Sequence, residues 1–211
     1  RTSQGIYRSY NGGQAWQAFD YGVGHGETRD LLAIDPYTPT RIYLGGDCEA
    51  DEFCFKISVD AGETFETVTT TLPITYTGLD PADSGVVKPN PLVPGRILVG
   101  SNTFEPGNPE ASFGMVFASD DYGQTWAYMG PTEPISSIVD IAYDAVDPDL
   151  VYMATNGSGH WKSMDGGVTW AQMPFISDGW LFDQFAPHPN LSGHVVLATT
   201  DDESQTHIPV L

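Results

Sequence analysis

Three aspartates stand where a strand of this chain is about to begin, and carboxylates so placed can do acid–base work. Asp30 precedes Leu31-Leu32-Ala33-Ile34, Asp140 precedes Ile141-Ala142-Tyr143, and Asp183 precedes Gln184-Phe185-Ala186. Glycosidic-bond hydrolysis needs two carboxylates facing each other across a cleft. If these strands line a channel, Asp30, Asp140 and Asp183 ring its mouth, with Trp180 a further candidate binding residue there. The competing reading is that each aspartate caps a turn or is solvated. Other chemistries have less to work with. His25, His160, His188, His194 and His207 fall in separate segments, with no Ser/His/Asp or Cys/His set. No glycine-rich phosphate loop precedes a helix. Acidic runs at residues 47–52, 144–149 and 201–203 could offer oxygens to Ca²⁺, but none has EF-hand spacing. The expectation is no metal site and no cofactor, with calcium as the one ion these loops could hold.

Composition narrows the partners. The 211 residues carry Lys+Arg 8 against Asp+Glu 28, a formal net charge of −20. Such a surface repels phosphate, which argues against nucleic acid and anionic membrane. No apolar run reaches membrane-spanning length, so no membrane insertion is expected. The sequence opens at Arg1 without an initiator Met, which reads as a mature or truncated product. Cys48 and Cys54 flank a polar loop between two predicted neighbouring strands. A local disulfide across that hairpin mouth fits an oxidising compartment, extracellular or periplasmic; two free thiols are the alternative.

The elements that must position these residues are set by a repeat. Ser163-Met164-Asp165-Gly166-Gly167-Val168-Thr169-Trp170 reads Ser-x-Asp-x-Gly-x-Thr-Trp. Ser119 to Trp126 is a second intact copy, with Asp121 at the acidic position. Ser58 to Phe65 keeps Asp60 and carries Phe65 for Trp, whereas Ser9 to Trp16 carries Asn11 for Asp and Ala15 for Thr. Each copy follows a short β-type run. The Asp or Asn accepts hydrogen bonds from nearby backbone N–H groups, the glycine permits φ > 0, and the aromatic buries apolar area. The motif is therefore a hairpin turn.

A second element precedes each turn: a strand, an Asx-Pro or Pro-rich turn, and another strand. It occurs at residues 31–46, 141–155 and 184–199, and in stretched form at 78–100. The unit is strand A, proline turn, strand B, loop, strand C, Asp turn, strand D. The turn motifs start at Ser9, Ser58, Ser119 and Ser163, steps of 49, 61 and 44. Four-stranded units at such periods are propeller blades, and the uneven steps place insertions at 82–93 and 103–112. The expected fold is an all-β propeller of four-stranded antiparallel blades in one domain, 1–211. The blades are about 27–76, 77–133, 134–176, and 177–211 completed by 1–26. The chain begins on a strand C and ends after a strand B, which suggests four blades closed by the termini. An arc of a larger propeller is the rival.

The turn motif resembles the Asp-box, or BNR repeat, of sialidase-like β-propellers, and the resemblance covers nearly the whole chain. Relatives of that kind include xyloglucan-active glycoside hydrolases, sortilin-type receptors and the photosystem II stability factor. The resemblance implies a structural turn on a blade's outer edge, away from any active face; fold alone does not carry chemistry. A sialidase would need an arginine triad, but Arg8, Arg41 and Arg96 occupy repeat positions, leaving Arg1 and Arg29. The resulting expectation is a non-catalytic extracellular module that binds or assembles a protein subunit or a polysaccharide. The alternatives are a xyloglucanase-like glycoside hydrolase, or a fragment of one, and a photosystem-type assembly factor.

Overall fold

Short apolar runs separated by Asp, Asn, Gly and Pro turns pair with their sequence neighbours, so strands follow one another in antiparallel order. The computed structural model describes residues 6–19, 32–47, 53–68, 86–105, 108–174 and 184–198. Among these residues there are sixteen strands and no helix. Three sheets have four strands each. The first holds β3 (Leu32–Ile34), β4 (Ile42–Asp47), β5 (Phe53–Ser58) and β6 (Glu66–Val68) in that order. The second holds β7 (Val86–Pro89), β8 (Ile97–Glu105), β9 (Asn108–Ser119) and β10 (Ala127–Tyr128). The third holds β11 (Ile138–Tyr143), β12 (Val151–Thr155), β13 (His160–Ser163) and β14 (Ala171–Gln172). Two-stranded sheets stand on either side in sequence: β1 (Ile6–Arg8) with β2 (Gln17–Phe19), and β15 (Gln184–Pro187) with β16 (Val195–Ala198).

The opening strands β3, β7, β11 and β15 pack side by side in sequence order, so they form the inner wall of the array. Period-two alternation does the rest, because successive side chains of a strand face opposite neighbours. Val87, Ile97 and Val99 face the first sheet and meet Tyr43 and Phe55. Val86, Leu98 and Val116 face the third sheet and meet Ile138, Ile141 and Met153. Leu150, Tyr152 and Ala154 meet Phe185 of the last pair. A sheet apolar on both faces needs a neighbour on both, which is why the blades stack. The sheets approach closely enough that a Cβ on Gly114 would lie 2.5 Å from the carbonyl oxygen of Ser136. Here Gly114 donates its N–H to Ile135, stitching the second sheet to the link before the third.

The structure bears on the sequence expectations in three places. The inner strand of the second blade is Val86–Pro89, inside the segment read as an insertion, and residues 78–81 lie outside the described residues. The insertion expected at 103–112 takes the form of strand: Thr103 pairs with Phe113 and Phe104 with Ser112, which lengthens the β8–β9 hairpin. The half-blades β1–β2 and β15–β16 form separate sheets instead of one shared blade. In a closed four-blade ring Trp16 would be wedged against a preceding blade, as Trp126 is; instead it is 61% exposed. The described residues thus form an arc of β-propeller.

Candidate functional site

Two regions carry the residues singled out by the sequence: the inner wall, and the ends of the sheets where the repeated turns lie. On the inner wall, Asp140 lies within β11 rather than ahead of it, beside a bulge between Ile138 and Asp140. The bulge re-aims the side chain, and the residue is only 6% exposed. Its Oδ1 lies 3.2 Å from Lys88 Nζ on β7, and its Oδ2 accepts the Phe185 N–H of β15 at 2.9 Å. One carboxylate thereby links the inner strands of three consecutive sheets. With both oxygens engaged and little surface open, Asp140 is built to clip blades together rather than to exchange protons with a substrate. Asp30, Asp183 and Trp180 lie outside the described residues, as does Cys48, so neither the channel-mouth set nor the cysteine pairing is brought together here. Of Cys54 the structure gives only its backbone place in β5, opposite Gly46.

At the sheet ends, the four turns share one hydrogen-bond scheme. Ser9, Ser58, Ser119 and Ser163 each accept, at 2.8 Å, the N–H of the glycine four residues on. The same hydroxyls donate to Asn11, Asp60, Asp121 and Asp165. Those side chains in turn accept the N–H of Ala15, Thr64, Thr125 and Thr169. Where the last residue is Thr, its hydroxyl closes a second bond to the carboxylate. Three turns also dock on the A–B turn of their own sheet, through Ala61 N–H to Thr40, Tyr122 N–H to Gly95 and Gly166 N–H to Asp149. The fourth position of each copy is left-handed: φ is 69° at Gly12, 61° at Ala61, 63° at Tyr122 and 71° at Gly166. Glycine meets that requirement without strain, whereas a bulky tyrosine held there costs roughly 1–2 kcal/mol.

The aromatic that ends the turn wedges between blades. Trp126 packs edge-on against Phe55 of the preceding sheet, with ring centroids 4.9 Å apart. Trp170 packs on the core between the second and third sheets, and its Nε1 donates to Met129 across the gap at 2.7 Å. Between the first pair and the first full sheet the link is polar: Arg8 donates to Ala61, and Glu63 meets both Arg8 and Tyr10. His160 is buried edge-on against Phe185, a packing role that its strand C position accounts for.

These contacts tune the acids. In Asp60 the Thr64 hydroxyl and N–H hold the carboxyl below its ordinary range. In Asp121 and Asp165 burial pushes the carboxyl up, but the bonds from Thr125 and Ser119, and from Thr169 and Ser163, outweigh it, so the net shift is down. A carboxyl depressed in the folded state stabilises the fold above its unfolded pKa, and that stabilisation is lost as pH falls through the folded value. The chain should therefore lose stability progressively below about pH 4, the ordinary aspartate range. Asp165→Ala should cost about 1 kcal/mol at pH 7, as capping losses do, and flatten part of the acid limb. Urea unfolding of both proteins from pH 7 to pH 3 checks this. An unchanged acid limb would show that the turn carboxylate contributes nothing.

Sequence reasoning missed Asn90 and Lys88. Asn90 is buried, accepts the N–H groups of Leu92 and Val93, and donates to Pro148 of the next sheet. It matches Asp35, which accepts from Tyr37 and Thr38, and Asp144, which accepts from Val146 and Asp147 and takes the Gly193 N–H of the next hairpin. The signal was in the spacing: each stands seven residues before the first residue of strand B, at Ile42, Ile97 and Val151. Among the described residues no cluster of three or more His, Cys, Asp or Glu is arranged to hold a metal ion, and no helix is long and apolar enough to cross a membrane.

With the geometry in view, comparison with known proteins is informative. No protein-family model matches the chain. A xyloglucanase from Paenibacillus sp. is 28% identical over 214 residues, covering 84% of this chain, which spans one fifth (20%) of that protein's length. The GH74 xyloglucanase of Xanthomonas campestris superposes with a TM-score of 0.63 at 18% identity, over 93% of this chain and 32% of its own. An ancestral GH74 enzyme gives 0.60 at 18% identity, over 97% and 28%. The enzyme from Niastella koreensis gives 0.56 at 21%, over 82% and 27%. The structural likenesses establish the β-propeller fold, and the xyloglucanase relative overturns the expectation of a non-catalytic binding module in favour of the glycoside-hydrolase alternative.

Proposed function

We propose that the chain is a propeller segment of a glycoside hydrolase acting on xyloglucan or a related β-glucan. The observation that carries this reading is the similarity to a xyloglucanase over 84% of the chain, at 28% identity. The repeated turns are Asp-boxes in this reading: they hold blade edges and do no chemistry. The blades run about 27–76, 77–133 and 134–176, flanked by the half-blades in 177–211 and 1–26. Acid and base come from a pair of carboxylates, for which Asp30 and Asp183 are the candidates from their places in the sequence, with Trp180 as a candidate binding residue. Asp140 supports that wall. In this reading the protein works outside the cytoplasm, where such polysaccharides are met and where Cys48 and Cys54 can be bonded.

The test is to incubate the protein that carries this chain with xyloglucan and to measure new reducing ends. The expected result is release of reducing ends from xyloglucan above carboxymethylcellulose, lost on Asp183→Asn or Asp30→Asn without loss of folding. No release from any β-glucan by a folded, intact protein would overturn the proposal.

A further inference from the structure

We propose a second, non-catalytic saccharide site in the groove between the first two full sheets, centred on Arg41 and Tyr122. The proposal rests on the carbohydrate-acting reading above and extends it to a surface away from the inner wall.

Comparison of two equivalent arginines motivates it. Arg41 and Arg96 each stand immediately before strand B of their sheets. Arg96 is held from both sides: its Nη2 donates to Gly166 at 3.0 Å, and its Nε lies 3.3 Å from the Asp120 carboxylate. Asp120 is the second residue of the turn in the same sheet; Gly166 is the fourth residue of the turn in the next. At the Arg41 groove those two positions hold Val59 and Tyr122. The acid is thus replaced by an exposed valine, and the glycine by a tyrosine whose ring lies 4.0 Å under the guanidinium. In a chain of net charge −20, Arg41 is left with no carboxylate partner among the described residues.

The tyrosine is there against backbone preference. Tyr122 sits at φ 63°, where the next copy of the turn has glycine. A strained residue persists when its surroundings hold it: the ring lies against Gly95, where an added Cβ would come within 3.2 Å of it, and under the Arg41 guanidinium, and it borders an open groove of about 430 Å³. Arg41, Val59, Glu66, Val68, Tyr122 and Gln124 line that groove. The guanidinium, held over the aromatic ring and beside the Tyr43 hydroxyl, brings N–H donors to the groove that it lines. Gln124 and Glu66 supply acceptors, and Val59 and Val68 supply an apolar floor. Donors, acceptors and a small apolar patch together suit one neutral glycosyl unit, whose hydroxyls need both kinds of partner and whose C–H face needs the floor. A carboxylated sugar fits less well, because Glu66 lies in the lining and the whole surface repels anions.

The experiment titrates the protein that carries this chain with cellotetraose and, separately, with trigalacturonate, following the arginine Nε–H and glutamine side-chain amide signals by NMR. Val59→Asp rebuilds the Asp120-type cap on Arg41 at a position already 64% exposed, so folding is retained. Arg41→Met removes the donors and keeps the stem. The expected result is that cellotetraose shifts the Arg41 and Gln124 signals, that both variants weaken binding roughly tenfold or more, as loss of hydrogen bonds to a charged group does, and that trigalacturonate binds less tightly. Cellotetraose binding that ignores Val59→Asp overturns the groove and leaves the hydrolase reading standing. Preference for trigalacturonate overturns the neutral-sugar assignment. Absence of binding with xyloglucan hydrolysis intact overturns the groove alone; absence of both overturns the two proposals together.

Discussion

Trp170→Ala should destabilise the chain by about 3 kcal/mol, the lower part of the range for large-to-small changes at an aromatic, because its ring is partly rather than fully buried. The ring fills the gap between the second and third sheets and also donates to Met129 across it. Its removal leaves a cavity and an unpaired carbonyl at one point. For a chain of this size the loss corresponds to a drop in Tm on the order of 6–12 °C. Trp16→Ala, at the same place in its own turn, should cost less than about 1 kcal/mol, since the ring is 61% exposed. Urea unfolding of the two variants side by side reads the difference. Equal losses would mean that the wedge between blades is not what the aromatic contributes.

The second large effect is at the inner wall. Lys88→Met should cost about 2–3 kcal/mol, because Asp140 is then left in a nearly closed site without its cation. Asp140→Asn should cost less. Asn can still accept the Phe185 N–H, and the Lys88 side chain, 38% exposed, can turn to water. Lys88→Met combined with Asp140→Asn should recover part of the loss, with a coupling of about 1 kcal/mol in a double-mutant cycle. Additive losses would remove the ion pair from the account. An Asp140→Asn protein that unfolds normally but no longer hydrolyses xyloglucan would return Asp140 to the catalytic role that its place before a strand first suggested.

The turns and the blade order were legible in the sequence because they are local. The scheme around Ser163, Asp165, Gly167 and Thr169 closes within a few residues, so residue types at fixed spacing determine it, and β-strands on either side follow from the apolar runs. The same holds for the turns at Asp35 and Asp144, which need only a side-chain acceptor and two following N–H groups. The second blade was misplaced for a related reason: Asn90 does the work of the aspartates, and an Asp-Pro pair at residues 80–81 drew the strand upstream of Val86–Pro89.

What the tertiary structure alone decided concerns contacts between blades. Nothing near Asp140 in the chain announces Lys88 or Phe185, 52 and 45 positions away. They meet because the inner strands of successive sheets pack in order, and that packing converts a candidate acid into a clip. The separation of the two half-blades was equally beyond the sequence. A repeat shows which strands belong to one kind of blade, but whether two halves join depends on the curvature accumulated through every interface between them. The different fates of Arg41 and Arg96 have the same origin: two residues in equivalent repeat positions differ because the turns opposite them present Tyr122 in one case and Gly166 in the other.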